Sequence, residues 1–207
     1  MTKKGYPLLL LLVFFLFTGW LAIEPLDRHD WLLENVITVI FIATLLFTYR
    51  SFPLSLTSYT LIFLFLLLHE VGAHFTYAKV PYNDFFISFL SFDLNNFFGF
   101  ERNHFDRLVH FLYGFFLVYP IYEIFQRGIG LKGFWCYFFA VDVVMSSSTL
   151  FELFEWAAAE IFGGDLGIAY LGTQGDVWDA HKDMALASLG ALLIMLTLAW
   201  LKRNAKN

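Results

Sequence analysis

Residues 60–74 read TLIFLFLLLHEVGAH, an almost unbroken apolar run that passes directly into a His-Glu pair. Such a run is typical of a membrane-spanning helix, which needs about 20 largely apolar residues. Together with its flanks, the stretch predicts a transmembrane helix over residues 54–77. The His-Glu pair then lies where this helix reaches one face of the bilayer.

The composition of the whole chain agrees with a membrane protein. Of its 207 residues, 59% are hydrophobic, 21% aromatic and only 15% charged, whereas soluble proteins are about 45–50% apolar and about 25% charged. The same composition excludes a disordered chain, and a net charge of −5 without a basic patch excludes a nucleic-acid-binding protein. The protein therefore has the lipid bilayer as its partner.

Five further apolar stretches predict membrane-spanning helices. They cover residues 6–23, 31–49, 106–125, 133–161 and 183–201. Without an internal repeat or a soluble insertion, the pattern indicates a single integral membrane domain over residues 1–207. We therefore expect the all-α class, in the form of a polytopic membrane helix bundle with about six transmembrane helices.

The basic residues of the connections predict the orientation, since Lys and Arg are in excess on the cytoplasmic side. With a cytoplasmic N-terminus, eight basic residues are inside and five are outside. The inner eight are Lys3, Lys4, Arg50, Arg127, Lys132, Lys202, Arg203 and Lys206. We expect both termini in the cytoplasm.

Polar residues collect at the outer ends of the predicted helices. His69, Glu70 and His74 end the third helix, residues 101–110 begin the fourth, and residues 175–183 lead into the sixth. Glu152 and Glu155 end the fifth. A charge at membrane depth costs at least about 2.5–3.5 kcal/mol, so we expect these groups to line one shared cavity rather than to face lipid.

Helical spacing gives these segments common faces. At about 100° per residue, Glu70 and His74 are about 40° apart, and Asp106, His110 and Tyr113 fall within about 60°. If the last segment is helical from Asp176 onwards, its three aspartates also share a face. They are Asp176, Asp179 and Asp183.

The residue types allow metal binding or acid–base chemistry. Imidazole and carboxylate suit zinc, iron or manganese, and the candidate metal ligands are His69, His74, His104, His110, Asp176 and His181. A carboxylate beside a histidine also suits general acid–base catalysis, for which the candidates are Glu70, Asp106, Glu152, Glu155, Asp179 and Asp183. The zinc-peptidase pattern does not fit, because His74 follows His69 by five positions and not four.

The structural alternative for the same residues is a buried network of ion pairs and hydrogen bonds, for instance of Arg102 or Arg107 with Glu101, Asp106 or Glu155. Elsewhere, we expect His29, Asp30 and Glu34 at the membrane interface.

Further polar residues are expected nearer the inner side. Glu123 should pair with Arg127 at i+4. Asp142, Ser146 and Thr149 predict a polar stripe that leads inward from the cluster. The aromatic segment over residues 80–100 predicts either a lid over the cluster or an anchor at the headgroup level.

Four strings make the chain resemble the YjdF family of bacterial inner-membrane proteins. They are LHEVGAHFTYAKVPY from Leu68, FGFERNHFDRLVHFLYG from Phe98, LFELFEWAAAE from Leu150 and LGTQGDVWDAHKDMALASLGA from Leu171. The resemblance implies a multi-pass protein of the inner membrane, but it implies no particular biochemical activity. A fainter similarity is to VanZ-like membrane proteins, at Asp106, His110, Phe111, Tyr113, Asp179 and Asp183. The Asn of that pattern is absent around Ala187, Ser188 and Gly190, so no function is transferred from it.

The leading hypothesis is an intramembrane active or binding site at the outer leaflet, metal-dependent in one version, for a lipid-linked or periplasmic molecule. It rests on the convergence of His69, Glu70, His74, His110, Glu155 and Asp176. A proton-coupled transporter that uses Asp142, and a scaffold whose polar cluster is structural, are the alternatives. The sequence predicts no oligomeric state.

Overall fold

The computed structural model describes residues 5–164 and 173–205, without the side chain of Phe162. The described residues form helices joined by turns and short loops. In chain order the helices are α1 (Gly5–Leu21), α2 (Arg28–Thr48), α3 (Leu56–His74), α4 (Tyr82–Leu90), α5 (Leu94–Phe98), α6 (Phe105–Glu123), α7 (Phe134–Phe162) and α8 (Asp179–Asn204). A π-helical turn, Ile124–Ile129, extends α6. The prediction of an all-α fold is confirmed.

The long helices are suited to crossing a bilayer, which confirms a polytopic membrane protein. Five apolar segments have sufficient length and hydropathy: Arg28–Thr48, Leu56–His74, Phe105–Ile129, Phe134–Ile161 and Asp179–Asn204. At 17 residues, α1 is shorter and lies at the lower limit of about 17–25 for a span. The cytoplasmic location of both termini stays a prediction, and Lys3, Lys4 and Lys206 lie outside the described residues.

The largest difference from the predicted spans is at α8, which begins at Asp179 rather than at residue 183. Hydropathy ends a predicted span at its first charges. A carboxylate in the first turn, however, is favourable at the positive end of a helix. The added turn therefore brings Asp179 onto the helix, while Asp176 precedes it and is not helical.

The centre of the bundle is α6, which packs against α3, α7 and α8. The approach of α6 to α8 depends on two glycines. A Cβ atom at Gly114 would overlap the backbone carbonyl of Ala187, and one at Gly190 would overlap that of Phe111. Most residues of the core around this contact are small or branched, and Tyr122 and Met195 complete it: Val118, Cys136, Ala140, Val141, Val144, Ala187 and Ala191.

At the inner end of the bundle, Glu123 joins α6 to the start of α3. Its buried carboxylate accepts the backbone N–H and the hydroxyl of Ser55, each at 2.8 Å, and the hydroxyl of Ser58. Arg127 also donates to it, which confirms the predicted pair. Because Ser55 is the N-cap of α3, Glu123 fixes where that helix begins.

Glu123→Gln should destabilise this junction by about 1.5–3 kcal/mol, the value of a hydrogen bond to a charged group. The Gln amide has one acceptor oxygen where the carboxylate has two. Its NH₂ group, itself a donor, would face the donors of Ser55, Ser58 or Arg127 and could not hydrogen-bond to them. Thermal unfolding in detergent measures the effect. An unchanged unfolding temperature would mean that the carboxylate does not hold α3 in place.

The outer segment over residues 80–100 forms α4 and α5, and most of its phenylalanine side chains are exposed, whereas Tyr82 packs toward the bundle. Phe89 is 74% exposed and Phe97 67% exposed. Hydrogen bonds fix this segment to the start of α6, from Asn103 to the Val80 carbonyl and from His104 to the Tyr82 hydroxyl. Its exposed rings favour the anchor over the lid.

Candidate functional site

A cavity of about 410 Å³ lies between α2, α3, α6 and α7. Its volume is in the range of about 300–1,000 Å³ that is usual for small-molecule sites. Ionisable side chains line its outer end: Asp30, Glu34, His69, Asp106, His110 and Glu155. The apolar remainder of the wall extends to the inner end of the bundle, where Leu54 and Ile124 contribute.

The walls of the cavity on α2 and α6 are single helical stripes that change from polar to apolar. On α2 the stripe begins with Asp30 and Glu34 and reaches Leu45 at intervals of three and four residues. On α6 it begins with Asp106 and His110 and ends at apolar residues near the inner side. This spacing places all members of a stripe on one face of their helix.

A group of histidine and carboxylate side chains meets at the polar end of the cavity, where Asp106 and His110 line the wall and Glu152 and Asp183 adjoin them without lining it. We call it the His110 group; it consists of Asp106, His110, Glu152 and Asp183. Ligand atoms of Asp106, His110 and Asp183 all lie within 4.8 Å of one another. The Nε2 atom of His110 is 3.5 Å from Asp106 Oδ1 and 3.5 Å from Glu152 Oε1. Three helices, α6, α7 and α8, contribute to this group.

Two oxygens of the His110 group lack hydrogen bonds. Asp183 is 2% exposed, and its Oδ1 atom has no partner among residues 5–164 and 173–205. Glu152 Oε1 likewise accepts no hydrogen bond within the described part of the chain. Buried polar atoms usually have partners. Three carboxyl groups around one imidazole therefore leave acceptor atoms for a cation.

A second polar patch faces the cavity from α3. The Nδ1 atom of His69 is 2.5 Å from the Tyr77 hydroxyl. The Tyr77 ring lies against Gly72, where a Cβ atom would come within 2.5 Å of the ring. Tyr77 also has a positive φ of 49°, which is uncommon for a residue with a side chain. Gly72 thus allows Tyr77 to fix the His69 ring, whose buried Nε2 has no partner in the described chain.

Asp176 and Asp179 form ion pairs beside the cavity rather than joining the His110 group. Arg102 contacts both Asp179 oxygens at 2.5 and 3.1 Å, and Arg107 contacts Asp176 and, at 3.2 Å, Asp179. Lys182 lies 2.5 Å from Asp176. The hydrogen bond from Lys182, that from the Trp178 backbone and the Arg107 contact hold the pKa of Asp176 well below its usual range. An ion-pair network of Arg102 and Arg107 is therefore present, but among the described residues its partners are these two aspartates and not Glu101, Asp106 or Glu155, which the sequence suggested.

The other predicted site residues lie outside the His110 group. His74 Nδ1 is 2.8 Å from the Leu21 carbonyl, and the exposed His181 packs against Trp178. His104 stacks on Phe100 with ring centres 3.9 Å apart. Burial, and then the charges of Arg107 and Arg102, lower the pKa of His104, so this ring is neutral at pH 7. Glu70 is fully buried on α3 but does not line the cavity.

Asp30 and Glu34, which we expected at the membrane interface, are buried residues of the cavity wall. They are 2% and 4% exposed and line the cavity. The sequence did not indicate that they belong to the site, because they are far along the chain from the other polar motifs. Their i, i+4 spacing, which places both carboxylates on one helix face, could have indicated it. Tyr77 is a further residue of the cavity wall that the sequence analysis did not identify.

The inward polar stripe on α7 does not continue the cavity. Asp142, Ser146 and Thr149 are all exposed, whereas Ser147 and Ser148 face the cavity. Among the described residues, Asp142 therefore lies apart from the cavity wall, and the transporter stays an untested alternative.

Taken together, the fold and the site define a multi-pass helical membrane protein with a histidine- and carboxylate-lined cavity. A family model described as a predicted membrane protein (DUF2238) matches residues 6–204, and the chain belongs to this family. The chain is also 37% identical over 206 residues to the "Inner membrane protein YjdF" of Escherichia coli (strain K12), covering 96% of this chain and 93% of that protein. No solved structure matches. The predicted resemblance and the inner-membrane location are confirmed.

Proposed function

We propose that the His110 group binds a divalent metal ion and forms an active or binding site for a lipid-linked or periplasmic molecule. The single observation that supports this proposal is the approach of Asp106, His110 and Asp183 to within 4.8 Å, with the buried Asp183 Oδ1 left without a partner in the described residues. Glu152 adds a further oxygen beside the same imidazole.

The three side chains would have to move closer together to hold such an ion. Ligand atoms at about 2.0–2.2 Å from one tetrahedral metal are about 3.3–3.6 Å apart. The widest separation of 4.8 Å would therefore close by about 1 Å, which side-chain rotation can supply. One nitrogen and two or three carboxylate oxygens fit zinc, iron and manganese, which are the metals predicted from the sequence.

The cavity beside the His110 group supplies what a reaction or a binding event would need. A metal ion polarises a bound oxygen or activates water. Across the cavity, His69 Nε2 and Glu34 Oε2 are buried and lack partners within the described residues, so they are candidates to move a proton. We assign His69, Asp106, His110, Glu152, Glu155 and Asp183 to the site. Asp176 and Asp179 are proposed to position α8.

Metal-induced stabilisation tests this function. Protein treated with a chelator is titrated with Zn²⁺ or Mn²⁺, and its unfolding is followed in detergent. A ligand at 100 times its Kd stabilises the folded state by about 2.7 kcal/mol. We expect this gain for the wild type and its loss in His110→Ala.

The matched control is His29→Ala, which removes an exposed imidazole at the start of α2. It should keep the gain. Equal stabilisation of both variants, or none of the wild type, would contradict the metal site and favour a structural cluster.

A further inference from the structure

The cavity extends much farther than the His110 group requires. On α2 its lining continues from Asp30 to Leu45, a distance of about 22 Å at 1.5 Å per residue. On α6 it continues from Asp106 to Ile124, about 27 Å by the same measure. The hydrocarbon core of a bilayer is about 30 Å thick, so the cavity is longer than one leaflet.

The polarity of the cavity changes once along this length. Carboxylates and histidines occur at the outer end, and the inner part is lined by apolar residues such as Phe41, Leu45 and Leu117. An occupant with a polar group at one end and a hydrocarbon chain at the other matches this change. Burying hydrocarbon in apolar surroundings gains about 0.8 kcal/mol per methylene relative to water.

The cavity also opens sideways, toward the lipid. Leu150 and Phe154 on α7 line it and are 53% and 64% exposed, and Ile37 on α2 lines it and is 46% exposed. The main packing partner of α2 is α3, whereas α7 packs on α6 and α8. The opening between α2 and α7 therefore faces the hydrocarbon of the bilayer, from which a lipid chain can enter without crossing water.

From these observations we infer that the cavity binds one acyl chain of a phospholipid of the surrounding bilayer, with the phosphate-bearing head at the His110 group. The inference rests on the proposed function and names its ligand class. A phosphate is attracted to a cation held between Asp106, His110 and Asp183. The chain then follows the apolar stripes of α2 and α6 inward.

The test uses paired tryptophan variants on α2 that differ only in the face they occupy. Thr38→Trp and Leu45→Trp place an indole in the cavity, at its middle and at its inner end. Val39→Trp and Leu46→Trp place the same ring on the exposed face at matching depths. Protein from palmitoyl-oleoyl phosphatidylglycerol nanodiscs is transferred to detergent, and bound lipid is counted by native mass spectrometry.

We expect the wild type, Val39→Trp and Leu46→Trp to retain one phospholipid, and Thr38→Trp and Leu45→Trp to lose it. Single-chain probes give the chain position. Leu45→Trp should lower the affinity for octadecyl phosphate about tenfold, which is the effect of displacing about two methylenes. It should leave the affinity for dodecyl phosphate unchanged. Thr38→Trp should lower the affinity for both alkyl phosphates.

The two proposals fail separately. If the wild type retains no phospholipid, or if Leu45→Trp behaves like Leu46→Trp in a folded protein, the lipid inference is wrong whatever metal is bound. If the cavity variants lose lipid as expected while the wild type holds no metal, the chain site stands and the metal function is wrong. Metal content is therefore measured on the same samples.

Discussion

Asp183→Asn is expected to stabilise the metal-free protein and to abolish high-affinity metal binding. The buried Asp183 carboxylate is close to Asp106, and both share a site with Glu152. Like charges in one buried site oppose each other. Removing one of them should raise the free energy of unfolding without metal, by at most about 4 kcal/mol, the repulsion of two unit charges about 4 Å apart at an effective dielectric constant of about 20.

The same substitution removes a ligand. Loss of an outer-shell partner weakens metal binding about 10–100-fold, so loss of a ligand should weaken it more. Calorimetric titration with Zn²⁺ gives the affinity, and thermal unfolding gives the stability. A structural ion-pair cluster predicts the opposite sign, because Asp183→Asn would then destabilise the protein. Asp142→Asn, at an exposed position on α7, is the matched control and should change neither quantity.

Gly114→Ala is expected to destabilise the bundle by more than about 3 kcal/mol, above the usual range for overpacking. The new methyl group would overlap the Ala187 carbonyl, which belongs to backbone and cannot rotate away. The helices α6 and α8 would have to separate. That separation would also move Asp106 and His110 away from Asp183.

Gly19→Ala in α1 is the control for helix propensity. No atom lies within 4 Å of a Cβ at this position in the described structure, so the change should be neutral or stabilising by up to about 1 kcal/mol. Thermal unfolding of the two variants is compared in the same detergent. If Gly114→Ala is as stable as Gly19→Ala, the close contact of α6 with α8 is not present in the protein.

Much of the fold follows from local sequence patterns. The apolar runs predict the spans because membrane helices satisfy their backbone internally, and so their length is set by the bilayer. The start of α8 was misplaced because Asp179 counts against a span in hydropathy, although Arg102 pairs with it in the structure. Pairing across 77 positions is a tertiary property that no local window contains.

The candidate site was predictable to a similar extent. Helical spacing placed Asp106, His110 and Tyr113 on one face, and all three line the cavity. Spacing within one segment cannot say which aspartate of another helix meets them. Asp176, Asp179 and Asp183 looked equivalent in sequence, but Arg102 and Arg107 take two of them and leave Asp183 beside His110.

The apolar length of the cavity was not predictable from the sequence. A cavity is made by the separation of helices, and α2 shows the same apolar residues whether its inner stripe meets protein or an open space. In the structure α2 packs on α3 and is separated from α7, and this separation places Phe41 and Leu45 at the wall of a cavity.

Elemental analysis of protein purified without any chelator tests directly whether the His110 group binds a divalent metal ion. We predict a stoichiometric divalent ion in the wild type and its absence from the folded double variant Asp106→Asn, Asp183→Asn. Folded wild-type protein without stoichiometric metal, or an unchanged metal content in the double variant, would contradict a metal site at the His110 group.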